Sequence, residues 1–262
     1  MTSVHEYLEK VDTRPLMPGA EPFLLEAGEV GCLLLHGWGG TCDSMRYLGG
    51  RLHQAGITAF APLLPGHGID AAHLAQTRAT DWVFAAEDHL LALHEMCPTL
   101  FVVGLSMGAI LTLYLGERYP TKLRGIVPIN GGVVIGSPSF AAMAFRRDLP
   151  DIIPSWDEEI LLKDKSVTEV AFRQMARTTI LDVLGLAKAV EEMLPLLHLP
   201  ILMVQAIDDQ VLPAWNADYV MERIASQDRE VVMLENSYHV ATMDYDKDLV
   251  ADHVIGFVQR HS

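Results

Sequence analysis

Leu100-Phe101-Val102-Val103-Gly104-Leu105-Ser106-Met107-Gly108 is the stretch that decides the fold. Its first six residues are almost wholly apolar and suit a strand buried on both faces. From Ser106 to Arg118 the pattern turns helical, and the helix must end before Pro120, because a proline steers the residue ahead of it out of the α region. A strand that becomes a helix at Gly104-x-Ser106-x-Gly108 forces the serine into a strained backbone, and the flanking glycines relieve the crowding. The serine side chain then stands above the sheet, over a helix N-terminus that favours developing negative charge. The five-residue pattern is weak by itself. With glycine at about 7% of residues, a chain this long shows it by chance about one time in ten. Its position between strand and helix supplies the weight.

Outward from this point, apolar runs alternate with helical patterns. Val30–Leu35, Ile57–Pro62, Leu123–Ile129, Ile201–Gln205 and Val231–Glu235 read as further strands, with Pro22–Glu26 as an edge strand. Helices are expected over Asp43–Ala55, capped by Asp43 or Ser44, and over Trp82–Met96, Ala214–Ile224 and Asp246–Arg260. Strands that alternate with helices predict an α/β fold: a mostly parallel central sheet flanked by helices.

From Val133 to Leu197 this rhythm breaks. Ser137–Phe145 is small and apolar, and Asp157–Lys165, Thr168–Arg177 and Ile180–Leu197 read as helices, with no clear strand. We expect residues 133–197 to form a small helical lid, inserted after the fourth main strand into a core made of residues 1–132 and 198–262. An open α/β sheet binds ligands beyond its strand C-termini, which is where such an insert would lie.

A serine hydroxyl is a poor nucleophile at neutral pH and needs a base, itself oriented by an acid. In this architecture the chain order is Ser, then Asp or Glu, then His. After Ile201–Gln205 two aspartates compete, Asp208 and Asp209. The first loop residues complete the turn, so Asp209 is preferred and Asp208 is expected to be a solvated or turn-stabilising carboxylate. The loop after Val231–Glu235 carries His239, which leaves the same sheet edge as Ser106. His36 and His67 also lie in loops but precede Ser106 in the chain. An oxyanion needs two backbone N–H donors. Met107, next to the nucleophile, is one. Trp38, in the loop His36-Gly37-Trp38-Gly39-Gly40, is the other, and its indole is a candidate wall of the acyl pocket.

The 262 residues suit one large domain, or a domain with an insert. A formal charge of −15 repels phosphate backbones, so neither nucleic acid nor an anionic membrane is expected as a partner. Cys32, Cys42 and Cys97 form neither a CxxC pair nor a disulfide framework, which fits a reducing compartment. The N-terminus has no apolar signal segment, and no run reaches the roughly 20 apolar residues of a spanning helix. We therefore expect a cytoplasmic protein without stable membrane anchoring. No HExxH, P-loop or dinucleotide fingerprint is present, and the expected chemistry needs neither metal nor cofactor.

Several motifs now stand in order: EPFLLEAGEVGCLLLHGWGG, APLLPGHG, Asp81-Trp82, VVGLSMG, VQAIDDQVLP and ENSYHVATMD. Over nearly its whole length the chain resembles α/β-hydrolases, and more closely the small bacterial carboxylesterases and monoacylglycerol lipases. The resemblance implies Ser106 as nucleophile, Asp209 as acid, His239 as base, and Trp38 and Met107 as oxyanion donors. The leucine, methionine and phenylalanine content of the lid suggests an apolar acyl chain, and a small lid cannot bury a very long one, so short- to medium-chain acyl esters are expected, with monoacylglycerol the first natural substrate to test. The resemblance is poorest in the lid, so it names no individual pocket residue within 133–197. An amidase, aminopeptidase or thioesterase would use the same triad, and a ligand receptor that retained the triad without turnover is a rival from another class. Dehalogenases and epoxide hydrolases need an aspartate where this chain has Ser106.

Overall fold

The computed structural model describes residues 2–135, 138–154 and 158–262. Up to the insert, the elements are α1 (Val4–Lys10), β1 (Phe23–Leu25), β2 (Val30–Leu35), α2 (Asp43–Gln54), β3 (Thr58–Ala61), α3 (Ala71–Leu74), α4 (Ala79–Met96), β4 (Thr99–Leu105), α5 (Met107–Arg118) and β5 (Leu123–Ile129). The insert contributes α6 (Pro138–Met143), β6 (Ile152–Pro154), α7 (Glu158–Leu161), β7 (Gln174–Ala176) and α8 (Ile180–Met193). The chain then returns to the core with β8 (Ile201–Ala206), α9 (Trp215–Met221), β9 (Arg229–Leu234) and α10 (Lys247–His261).

Seven strands form one sheet in the order β1-β3-β2-β4-β5-β8-β9. Only β1 runs antiparallel to its neighbour; every other pair is parallel. Successive side chains of a strand point to opposite faces, so a strand buried on both sides feeds two apolar layers. Leu33 and Leu35 join Val102 in the layer under α4, α5 and α8. Cys32 and Leu34 join Phe101 and Val103 in the layer under α2 and α10. On α10, Val250, Val254, Phe257 and Val258 recur at helical spacing and are fully buried. Burying each such side chain contributes about 1.5–3 kcal/mol.

Two local expectations fail. Asp43 does not cap α2: its carboxylate accepts the Val170 N–H at 3.0 Å, and Cys42 takes the cap position. Ser44 hydrogen-bonds back to the Thr41 carbonyl instead of capping. The insert is also not purely helical. Thr168–Arg177, expected as a helix, contains β7, which pairs antiparallel with β6 through Ile152–Ala176, Ile153–Met175 and Pro154–Gln174. The physical reason lies in its backbone donors. Val170 gives its N–H to Asp43 and Phe172 gives its N–H to the Gly39 carbonyl at 3.0 Å, so the segment is drawn flat over the loop that follows β2. Tertiary partners replace the bonds a helix would have made. The expected helix over Asp157–Lys165 shortens to α7, and its first residue, like Ser137 of the segment Ser137–Phe145, lies outside the described residues.

Candidate active site

The site lies beyond the C-terminal ends of β2, β4, β5, β8 and β9. Ser106 sits between β4 and α5 with φ 57° and ψ −116°, one of two non-glycine residues with positive φ among those described. Such a conformation is costly and persists only where surroundings over-determine it. Here they do. A Cβ on Gly104 would come 2.1 Å from the Gly108 carbonyl oxygen, and one on Gly108 would come 2.1 Å from the Leu35 carbonyl oxygen. The two glycines let β4, α5 and the end of β2 touch backbone to backbone, and that contact holds the bend.

His239, after β9, places Nε2 2.8 Å from Ser106 Oγ. Its Nδ1 lies 2.9 Å and 3.1 Å from the two carboxylate oxygens of Asp209. A carboxylate only accepts, so Nδ1 carries the proton and Nε2 is left to accept the serine hydroxyl. The Asp209 side chain is fully buried and that of His239 is 7% exposed. Oδ1 of Asp209 receives the Val211 and Leu212 N–H groups at 2.8 Å and 2.9 Å, which hold the carboxylate against the imidazole. Asp208 points away: its side chain is exposed and lies 3.5 Å from Lys163 Nζ.

The loop after β2 approaches Ser106 closely, and a Cβ on Gly37 would meet the Ser106 Cβ at 3.2 Å. His36 anchors this loop. It donates Nδ1–H to the Gly37 carbonyl at 2.9 Å and accepts the Leu64 N–H on Nε2 at 3.0 Å. Burial pushes its imidazole down to about 4, so it stays neutral and able to accept. Burial likewise lowers His67, which packs against His36, to about 3. Trp38 donates its indole N–H to Thr179 Oγ1 in the insert at 3.1 Å and meets Phe140 edge-on.

A cavity of about 450 Å³ opens at Ser106 and His239. Trp38 and Met107 line it, as do Ile135, Phe140, Leu161, Phe172 and Val183 of the insert. The walls are mainly apolar, and beside Ser106 and His239 the side chains able to make strong polar contacts are Glu169 and Gln210. Glu169 is 7% exposed. Among the described residues, no group of three or more His, Cys, Asp or Glu is placed to hold a metal ion, and no helix is long and apolar enough to cross a membrane.

Three residues that the sequence reading did not single out matter to this geometry. Glu169 falls in a stretch that reads as an ordinary helix face. Asn130, at the end of β5, has φ 42° and is fully buried. It gives Nδ2 hydrogens to the Tyr238 and His239 carbonyls at 2.9 Å and 2.8 Å, and accepts the Ala206 N–H. An asparagine just after a strand and before Gly131-Gly132 is a signal for left-handed backbone that was available. Asp244, buried beneath the His239 loop, leaves no periodic trace.

Comparison with known proteins gives this chain its kin. The family model described as serine aminopeptidase, S33 matches residues 29–246. The thermostable monoacylglycerol lipase of Bacillus sp. (strain H-257) is 39% identical over 249 residues, covering 95% of this chain and 98% of the relative. The carboxylesterase of Bacillus subtilis (strain 168) is 28% identical, covering 92% and 96%. A solved structure from work on LipS and LipT, two metagenome-derived lipolytic enzymes, superposes with a TM-score of 0.90 at 35% identity, covering 94% of this chain and all of that one. The monoacylglycerol lipase of Paleococcus ferrophilus, at 16% identity, shares the fold with a TM-score of 0.79 over 92% of this chain and 98% of its own. The chain belongs to the serine aminopeptidase S33 family, as an α/β-hydrolase of the monoacylglycerol lipase and esterase-like kind.

Proposed function

We propose that this chain, a carboxylic ester hydrolase, cleaves short- to medium-chain acyl esters, monoacylglycerols among them, through an acyl-enzyme on Ser106. The observation that carries the reading is the bridge made by His239, 2.8 Å from Ser106 Oγ and 2.9 Å from Asp209, at the mouth of an apolar cavity.

In the first step Ser106 Oγ attacks the ester carbonyl while His239 Nε2 takes its proton. The tetrahedral oxyanion accepts the backbone N–H groups of Met107 and Trp38. Met107 opens α5, so its N–H has no carbonyl one turn earlier in the helix to bond to. Asp209 keeps the imidazole in the correct tautomer and stabilises its cation. The C–O bond to the alcohol breaks as His239 returns the proton to the leaving oxygen. Water then attacks the acyl-enzyme with His239 again as base, and the carboxylic acid leaves as Ser106 is restored. None of these steps calls on a metal or cofactor.

Residues 133–197 act as the lid that shapes the pocket, supported by the cavity contacts of Phe140, Leu161, Phe172 and Val183. Their apolar side chains accommodate an acyl chain, and a site of this size suits a small ligand more than a long lipid. Glu169 gives the cavity a carboxylate that can accept from the free hydroxyls of a glycerol leaving group. The same reading puts the enzyme in a reducing, cytoplasmic compartment, in keeping with the buried free thiols of Cys32, Cys42 and Cys97.

The test is Ser106→Ala, assayed on p-nitrophenyl esters of increasing chain length and on monoacylglycerols, amides and thioesters. Ester turnover should vanish with the fold intact, and the parent should prefer esters to amides and thioesters. Full retained activity in the variant overturns the reading, and a preference for amides or thioesters redirects it. Stoichiometric capture without turnover would mark a receptor.

A further inference from the structure

We infer that Asp244 is a positioning residue that locks the base loop to the insert, so that the place of His239 depends on the insert. The inference rests on His239 being the base proposed above. Asp244 lies five residues after His239, just ahead of α10, and is fully buried. Its carboxylate takes four backbone N–H groups from two distant parts of the chain. Oδ2 accepts from Tyr238 and from Lys163, each at 2.8 Å. Oδ1 accepts from Asp164 and from Tyr245, each at 2.9 Å. Tyr238 is the immediate neighbour of His239, whereas Lys163 and Asp164 follow α7 in the insert.

A second bond closes the clamp from the other side of the histidine. Val240 N–H donates to the Leu161 carbonyl at 2.9 Å, and Leu161 lines the cavity. The residues on both sides of His239 are thus tied to positions 161–164. From the sheet side, Asn130 holds the Tyr238 and His239 carbonyls. The base loop hangs between one anchor on the sheet and one on the insert. Charge-assisted bonds from a carboxylate to backbone N–H are roughly twice as strong as neutral ones, and the Asp244 carboxylate places three of its four on this junction, from Tyr238, Lys163 and Asp164. A ligand that presses on Leu161 therefore acts on the frame of the base as well as on a pocket wall.

Asp244→Asn tests this at nearly constant shape. The amide presents an NH₂ to one pair of N–H donors, so at most one pair keeps an acceptor. Misplacement of a catalytic group by about 1 Å costs up to about 10²-fold in rate. On p-nitrophenyl butyrate, kcat should fall about tenfold or more, with KM changed less than about threefold. The low-field proton resonance of His239 Nδ1–H should broaden or shift, a signature that a merely stabilising residue would leave in place. A folded variant with kcat within about twofold of the parent and that resonance unmoved overturns the inference. Amide hydrogen exchange on the unmodified enzyme decides independently, whether or not the variant folds. The Tyr238, Lys163, Asp164 and Tyr245 amides should exchange as one group, and rates for the two segments that differ by more than about tenfold overturn the coupling. His239→Ala separates the two levels of the argument. If that variant keeps activity, the proposed mechanism fails; if it is dead while Asp244→Asn is normal, only the inference fails.

Discussion

Gly108→Ala adds one methyl group, and the elbow makes its cost calculable. The new Cβ would stand 2.1 Å from the Leu35 carbonyl oxygen, 2.6 Å from its carbon and 2.7 Å from the His36 carbonyl oxygen. All three are backbone atoms, so no side chain can rotate away. To restore a separation of 3.0 Å, α5 must retreat from the end of β2 by about 0.9 Å. Overpacking of this kind costs about 1–3 kcal/mol of stability, and the elbow should lie at the upper end because backbone opposes backbone. The same retreat carries Met107 N–H away from the loop of Trp38 and so opens the oxyanion hole proposed above. Displacement approaching 1 Å at reacting groups costs up to about 10²-fold, so kcat on p-nitrophenyl butyrate should drop at least tenfold. Urea unfolding gives the first quantity and steady-state kinetics on the folded fraction gives the second. A variant with the parent's unfolding midpoint and the parent's kcat would refute the argument that this contact sets the elbow.

Asp209→Asn should lower kcat by about 10⁴-fold, as loss of the correct histidine tautomer does in serine hydrolases, whereas Asp208→Asn, at an exposed carboxylate, should stay within about twofold in the same assay. Glu169→Gln should depress monoacylglycerol turnover about tenfold more than p-nitrophenyl butyrate turnover, the scale of one lost charge-assisted bond to a leaving-group hydroxyl; equal effects on both substrates would count against its role. Glu117 gives a pH signature. It is buried in α5, neither carboxylate oxygen has a hydrogen-bond partner among the described residues, and burial pushes it up to about 8. The folded state then holds a proton that the unfolded state releases above about 4.5, so this group costs stability progressively as pH rises from about 4.5 through 8. Glu117→Gln should raise the thermal midpoint at pH 9 and leave it nearly unchanged at pH 4, measured by scanning calorimetry.

The core strands were legible because burial on both faces writes continuous apolar runs, as in Val30–Leu35 and Leu100–Leu105, and glycine at 104 and 108 marks where one of them bends. The order Ser106, Asp209, His239 follows from where successive strands end, and chain order is something a sequence displays. The choice between Asp208 and Asp209 also rested on a local rule, the length of the turn after β8. The insert was less legible. Thr168–Arg177 has helical spacing, but its backbone donors go to Asp43 and to the Gly39 carbonyl, contacts between residues far apart in the chain. Asp244 was invisible for the same reason: the groups that give it meaning come from positions 163, 164, 238 and 245. Residues that join segments distant in sequence leave no period to read.

Stoichiometric reaction with a serine-reactive alkyl phosphonate, followed by peptide mass spectrometry, tests the central claim most directly. One phosphonyl adduct should form, on Ser106, with ester hydrolysis lost in step with labelling and labelling strongly slowed in His239→Ala. An adduct on another residue, or complete labelling of Ser106 with hydrolysis intact, would contradict the account.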